Sequence, residues 1–444
     1  MKTYKHLWTQ FISDENYYLA VKNATKHKGG DKKKYKEAQY IKNHADELKE
    51  EIINYASNFT NSKHCAKQIY DGVRRKQRTI YVPTMKEQIV HHMVVNILKP
   101  IFIKGMYEHS YGSIPNRGPH KGKRKMEKWI RKNDFNYVLK MDIQKYFDSI
   151  PHYILKAKLH RIIKDKQFCQ VLDTIIDVTE KGIPIGFYTS QWFANRYLTE
   201  LDHYIIEELK VKNYMRYMDD MVILGNSKQE LHQIRKSINS YLNCDLGLQL
   251  KKNWQVYKFD NRDIDFMGFR FYKNKTIIRK SILLKASRKA RKIYKKGITI
   301  YSSRQMLSYL SWFKYTDSYN CYKEWIKPYV SFHELKKFTS YWTKYQQGGK
   351  RIMDWYESAS NELLPQVDEN SSKNWIIIRK DFKLVPGTED WPEYYTFKEQ
   401  KIRKSDWGLY KSLLDHDKAF DDTFGAITEL ADMIAELEEK YGSS

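Results

Sequence analysis

Residues 214–224 read Tyr-Met-Arg-Tyr-Met-Asp-Asp-Met-Val-Ile-Leu, two apolar segments hinged on a pair of adjacent aspartates, Asp219 and Asp220. Apolar and aromatic residues on both sides of the pair predict two short strands. Neighbouring carboxylates repel each other, and setting them between apolar strands is costly unless a cation or hydrogen bonds compensate. An Asp-Asp pair also suits a plain hairpin turn, but a turn does not account for the apolar residues that flank it. A second run, Tyr-Val-Leu-Lys-Met-Asp-Ile at residues 137–143, predicts another strand and carries Asp142 near its end. If these strands pair, Asp142 and Asp219 converge on one point.

A carboxylate cluster of this kind typically holds two Mg²⁺ ions roughly 3.5–4 Å apart. Mg²⁺ prefers hard oxygen ligands and binds substrate phosphates. One ion activates an attacking hydroxyl and the other stabilises a leaving pyrophosphate. Mn²⁺ is the alternative metal.

The charge of the chain points to a matching partner. Lys plus Arg is 79 against 53 Asp plus Glu, a net +26. Such an excess repels itself unless a polyanion neutralises it. Nucleic acid is the natural candidate, and 35 tyrosines offer faces on which bases can stack. A solubilised surface or an anionic membrane contact is the plainer alternative. The 444 residues exceed one ordinary core and predict two or three subdomains. Cys65, Cys169, Cys244 and Cys321 are far apart and form no CxxC. They are read as reduced, mostly buried thiols of a cytoplasmic protein. No apolar leader follows Met1 and no run of 18 apolar residues occurs, so neither secretion nor a membrane partner is expected.

Along the chain, residues 1–60 are expected to be helical and Lys-rich, broken at Gly29-Gly30. Arg78-Thr79-Ile80-Tyr81-Val82 predicts a basic strand ending at Pro83, and Met85 through Leu98 a helix. His91 and His92 fall on that helix, where neighbours point in different directions, so they are read as core or groove residues. A long helix is expected over 190–210, a hairpin over 264–280 turning near Lys273-Asn274-Lys275, and basic, aromatic helices over 284–345. Beyond about Gly348 the composition changes. Nine acidic residues and two lysines lie between Ser412 and Ser444, and Ile427, Leu430, Ile434 and Leu437 form a stripe at helical spacing.

Tyr217-Met218-Asp219-Asp220 resembles the polymerase box of reverse transcriptases, and Met141-Asp142-Ile143-Gln144-Lys145-Tyr146-Phe147 is similar to their first catalytic motif. Between them stands Gly186-Phe187-Tyr188-Thr189-Ser190-Gln191, followed by Trp192-Phe193-Ala194-Asn195, which resembles their middle motif. Three motifs in order within about 80 residues of a basic chain are far more specific than any one alone. The resemblance runs from roughly residue 70 to 345. It implies an α+β right-hand polymerase with fingers, palm and helical thumb, plus a C-terminal appended helical region. The expected division is an N-terminal arm and fingers over 1–135, a palm with finger insertions over 136–283, a thumb over 284–347 and an extension over 348–444.

The resemblance also implies roles. Asp142 and Asp219 would be the main metal ligands, Asp220 would assist, and the carbonyl of Ile143 would lie near the triphosphate. Phe147, five positions after Asp142, would be the gate against a ribose 2′-hydroxyl, with a plain core Phe as the alternative. Ser190 and Gln191 would lie against the templating pair or the incoming nucleotide. Arg78, with Arg74, Arg75 and Lys76, resembles the fingers strand that grips the triphosphate, and Arg117-Gly118 the following fingers motif. Arginine suits phosphate through bidentate contacts, and structural ion pairs are the alternative. Lys251 or Lys252 is a candidate general acid for pyrophosphate. Asp265-Phe266-Met267-Gly268-Phe269 resembles the primer-grip hairpin, where Gly268 would permit close backbone approach or mark a simple bulge.

Gly-x-x-x-Ser-Gln, Leu7-Trp8 and the segment 308–319 look like the enzymes of diversity-generating retroelements. Phe187 departs from that group, which commonly has Asn there, and the roughly 100 residues after the thumb-like region look instead like the appended domain of bacterial anti-phage defence reverse transcriptases. The expected activity is RNA-directed DNA synthesis on a structured non-coding or template RNA, using dNTPs and yielding cDNA. Template-independent synthesis and a non-catalytic RNA-binding scaffold are the competing readings. The acidic tail would dock an accessory protein, self-associate, or pack on the basic surface.

Overall fold

The computed structural model describes residues 2–26, 32–60, 65–71, 76–347, 366–368, 375–379 and 399–403. The chain divides into two compact units, Met1–Ser281 and Ile282–Ser444.

The first unit is α+β. Two strands, β1 (Cys65–Asp71) and β2 (Lys76–Val82), form an antiparallel hairpin in which Ile69 faces Arg78. Arg74 and Arg75 lie outside the described residues, as does the side chain of Lys76. The centre of the unit is an antiparallel sheet built from β3 (Tyr137–Asp142), β4 (Asn213–Tyr217), β5 (Asp220–Gly225) and β6 (Gln255–Lys258). Its order is β4-β5-β3-β6, so the two carboxylate-bearing strands are direct neighbours. Val138, Leu139 and Met141 of β3 and Met221 through Leu224 of β5 are all buried. Burial on both faces explains why these strands read as near-continuous apolar runs rather than an alternation.

Helices supply the cover. Met85–Gly105 begins with a reciprocal cap in which Thr84 and Glu87 each bond the other's backbone. It packs beside Tyr188–Tyr197, where His91 Nδ1 lies 3.1 Å from Thr189 Oγ1 and the His92 ring lies tilted against Tyr188, 4.4 Å between centroids. The long helix expected over 190–210 is three pieces: Tyr188–Tyr197, Thr199–His203 and a π turn over Tyr204–Glu208. The expected hairpin over 264–280 is a three-stranded meander of β7 (Ile264–Phe266), β8 (Phe269–Phe271) and β9 (Thr276–Ile278). Met267 (φ 52°) and Gly268 (φ 88°) make its first turn. Two left-handed residues match the right-handed twist of a hairpin, so Gly268 is a turn residue.

The second unit opens with most of the helix Lys280–Lys296 and continues through Ile300–Leu307, Leu310–Lys314, Tyr319–Trp325 and Phe332–Gln347. Met306, Phe313, Ile326, Val330, Leu335 and Phe338 are buried there. After residue 348 the described residues are not helical. They form a three-stranded antiparallel sheet of Gln366–Asp368, Trp375–Arg379 and Glu399–Arg403. The isoleucine-rich run Trp375-Ile376-Ile377-Ile378 accounts for this by strand propensity, and the stripe from Ile427 to Leu437 lies outside the described residues. The thiols also differ from expectation: Cys169 is buried, Cys321 partly so, and Cys244, at the end of the helix Lys228–Cys244, is exposed. No helix among the described residues is long and apolar enough to cross a membrane.

Candidate active site

Register alone brings the acidic residues together. Asp142 is the last residue of β3 and lies directly across from Asp220, the first residue of β5. Asp219 occupies the turn between β4 and β5, and its carbonyl accepts from Ile143 N at 3.3 Å. The Asp219 carboxyl lies close enough to Asp142 for the two to interact strongly. Burial first, and then the neighbouring Asp142 carboxylate, raise the Asp219 pKa to about 6. Asp220 rises to about 7: burial drives it, Lys140 opposes it, and the Asp142 and Asp219 charges add to it. Raised acid pKa values mark a site with too little positive charge for its carboxylates.

Two lysines supply part of that charge. Lys251 Nζ donates to Asp142 Oδ2, and Lys251 N donates to Asp142 O at 2.8 Å. Lys140 Nζ stands 3.7 Å from Asp220 Oδ2 and bonds the carbonyl of Asp265. Between the two lysine candidates the structure distinguishes clearly, because Lys252 is exposed. Oδ1 of Asp142 and Oδ1 of Asp220 are buried without a hydrogen-bond partner. Both also line a cavity of about 200 Å³ together with Lys140, Tyr257 and Asp265. Among the described residues no three His, Cys, Asp or Glu side chains already form a metal cage. Yet two orphaned carboxylate oxygens and hard-oxygen chemistry suit a divalent cation such as Mg²⁺.

The turn that carries Asp219 is held tightly. Met218 has φ 54°, a left-handed conformation costly for a residue with a side chain. Gly112 makes room for it: a Cβ there would lie 2.6 Å from Met218 Cγ and 2.9 Å from Met218 N. Gly112→Ala must therefore displace the turn itself. It is expected to cost about 1–3 kcal/mol of stability and to lower activity at this site by at least about tenfold. Thermal unfolding and turnover measured on the same preparation check both.

The remaining candidates lie around this centre. Phe147 sits on the short helix Tyr146–Ser149 just after β3, edge-on to Tyr146, whose hydroxyl bonds Ala194 O. Ser190 is buried with no partner for its Oγ, whereas Gln191 on the same helix is exposed. Phe187 is buried against the His91 ring. Arg78 is exposed on β2, and its hairpin is stitched to the middle motif by Tyr81 N donating to Ile185 O at 2.8 Å. Gly186 makes that seam possible, since a Cβ there would lie 2.2 Å from Tyr81 O. Arg117 Nη1 donates to the backbone carbonyl of Tyr107 at 2.7 Å, a structural contact rather than the ion pair weighed for it. Gly112, Lys140, Asp202 and Arg216 had no assigned role in the sequence. Lys140 and Arg216 carried a signal, each as a lone basic residue inside an apolar strand.

The family model described as "Reverse transcriptase (RNA-dependent DNA polymerase)" matches residues 65–271, the span that contains every element just described around the carboxylates. Residues 65–271 are a reverse transcriptase domain. Protein YkfC of Escherichia coli (strain K12) is 24% identical over 246 residues, covering 45% of this chain and 65% of that one. The retron Ec73 reverse transcriptase of Escherichia coli is 28% identical over 176 residues, covering 36% of this chain and 53% of that one. The chain thus spans between about half and two thirds of the length of these two relatives. Apo telomerase from Candida tropicalis superimposes with a TM-score of 0.41 at 14% identity, covering 59% of this chain and 56% of that one. The family match ends at Phe271, the last residue of β8, before the helix Lys280–Lys296 begins.

Proposed function

We propose that this chain is an RNA-directed DNA polymerase that works by two-metal nucleotidyl transfer at Asp142, Asp219 and Asp220. The observation that carries the reading is the cross-strand pairing of Asp142 with Asp220, with the Asp219 carbonyl bonded to Ile143 N beside it, inside a reverse transcriptase domain. In the reaction the primer 3′-oxygen bonds to the α-phosphorus of a dNTP, the bond to the β-phosphate oxygen breaks, and pyrophosphate leaves. Asp142, Asp219 and Asp220 would hold the divalent ions, which when bound lower the pKa of the attacking hydroxyl and neutralise the departing phosphates. Lys251, seated on Asp142, is the candidate proton donor to pyrophosphate. Phe147 gates the sugar, Gln191 faces the incoming pair and Arg78 grips the triphosphate. The partners are then dNTPs, a structured or template RNA, and the cDNA product.

The subdomain limits proposed from the sequence, with fingers to 135, palm to 283 and thumb to 347, go with this function. The biological setting we favour is bacterial anti-phage defence, supported by the long extension after residue 347. The Ser190-Gln191 pair supports a diversity-generating retroelement as the second reading. Changing Asp219 and Asp220 together to alanine tests the catalytic reading: primer extension should disappear, and persistence would remove it.

The charge reading has its own check. A +26 chain that contacts phosphates releases counterions on binding. For about six contacts to single-stranded RNA, log K against log salt should fall with a slope of roughly −4. A flat dependence, measured by fluorescence anisotropy, contradicts it.

A further inference from the structure

Beneath the catalytic turn lies a buried polar network that none of the roles above uses. Arg216 of β4 and Asp202 of the helix Thr199–His203 both have fully buried side chains. They make a forked pair, with Arg216 Nε 2.8 Å from Asp202 Oδ1 and Nη2 2.6 Å from Oδ2. The Tyr214 hydroxyl donates to Asp202 Oδ1 at 2.7 Å. The remaining arm of the guanidinium reaches the turn: Nη1 donates to the Met218 carbonyl at 2.9 Å and lies 3.4 Å from Asn195 Oδ1. Asn195 in turn donates through Nδ2 to Gly112 O at 2.7 Å. Met218 therefore has its carbonyl held from one side while its backbone nitrogen abuts the glycine tied to the same network.

A left-handed residue with a side chain carries a conformational cost. A hydrogen bond from a charged donor is among the strongest that a buried site can supply. One such bond to the Met218 carbonyl offsets that cost, and the fork to Asp202 fixes the direction from which it comes. A purely structural ion pair would need no third contact, and buried pairs by themselves are weak evidence for stability. The third contact falls on the residue that precedes Asp219.

We propose that Arg216, oriented by Asp202 and Asn195, is a positioning residue that holds the Met218 peptide left-handed and so keeps Asp219 beside Asp142. Its effect on catalysis rests on the polymerase reading; the clamp itself does not.

Removing one partner would strand a buried charge, whereas replacing both with apolar residues is often close to neutral. The test is therefore the double variant Arg216→Met, Asp202→Leu in the full chain. Amide exchange across residues 217–221, read by mass spectrometry, should accelerate at least about tenfold as the turn opens. The kcat for primer extension should fall about 100-fold, as expected of a misplaced group, with KM for dNTP within about threefold. Adding Met218→Gly should recover at least about tenfold of kcat, since glycine takes positive φ without help. Arg216→Lys, which keeps the charge but cannot fork, gives the same exchange readout if the double variant folds poorly. Unchanged exchange overturns the clamp whether or not the parent extends primers. Faster exchange with kcat within threefold of an active parent, or no recovery with Met218→Gly, overturns its role in positioning.

Discussion

Changing Asp219 and Asp220 together to asparagine is expected to make the metal-free protein more stable at pH 8 while abolishing primer extension. Both carboxyls have raised pKa values, about 6 for Asp219 and about 7 for Asp220. A carboxyl whose folded pKa exceeds its unfolded value keeps its proton in the folded state after the unfolded chain has lost it. Stability therefore falls as pH rises from about 4, the ordinary Asp value, through about 7, and stays low above that. The asparagine pair removes this term. We expect a gain on the order of 3 kcal/mol at pH 8 and almost none at pH 4. Urea unfolding of both proteins at the two pH values, in chelator, reads the difference. An equal effect at both pH values would mean that the carboxylates are not mutually strained. Activity moves the opposite way, because the same negative charge that burdens the fold is what a divalent ion needs.

Phe147→Val is expected to admit ribonucleotides. Phe147 follows β3 directly, on a helix anchored by Tyr146 through its bond to Ala194 O. The anchor means that trimming the neighbouring ring opens space without moving the chain. Steric rejection of one oxygen is worth about 1–3 kcal/mol, so the preference for dNTP over rNTP should drop by roughly 10–200-fold. Because Phe147 is only partly buried, the stability cost should stay near 1–2 kcal/mol. Competing dGTP and GTP on one template measures the ratio directly. An unchanged ratio would return Phe147 to the role of a packing residue.

The strands bearing Asp142 and Asp219-Asp220 were legible because burial on both faces leaves an unbroken apolar run in the sequence. Their pairing was legible only as a supposition, since register depends on contacts between residues some 80 positions apart. Lys251 and Lys252 could not be separated beforehand. The choice follows from the backbone bond of Lys251 N to Asp142 O, which aims one lysine inward and its neighbour out. Gly112 and Asp202 carry no local signature, because each matters through a residue far along the chain. The meander over 264–278 has one more turn than the hairpin expected there with its turn near Lys273-Asn274-Lys275, namely Met267-Gly268. Its two left-handed residues make it a turn.

The central claim is that the carboxylate cluster copies RNA into DNA. The most direct measurement is extension of a DNA primer annealed to a heteropolymeric RNA, with Mg²⁺ and all four dNTPs, followed by sequencing of the product. The account predicts DNA complementary to the supplied RNA, made only when that RNA is present. No extension, or DNA whose sequence is independent of the RNA, would contradict it.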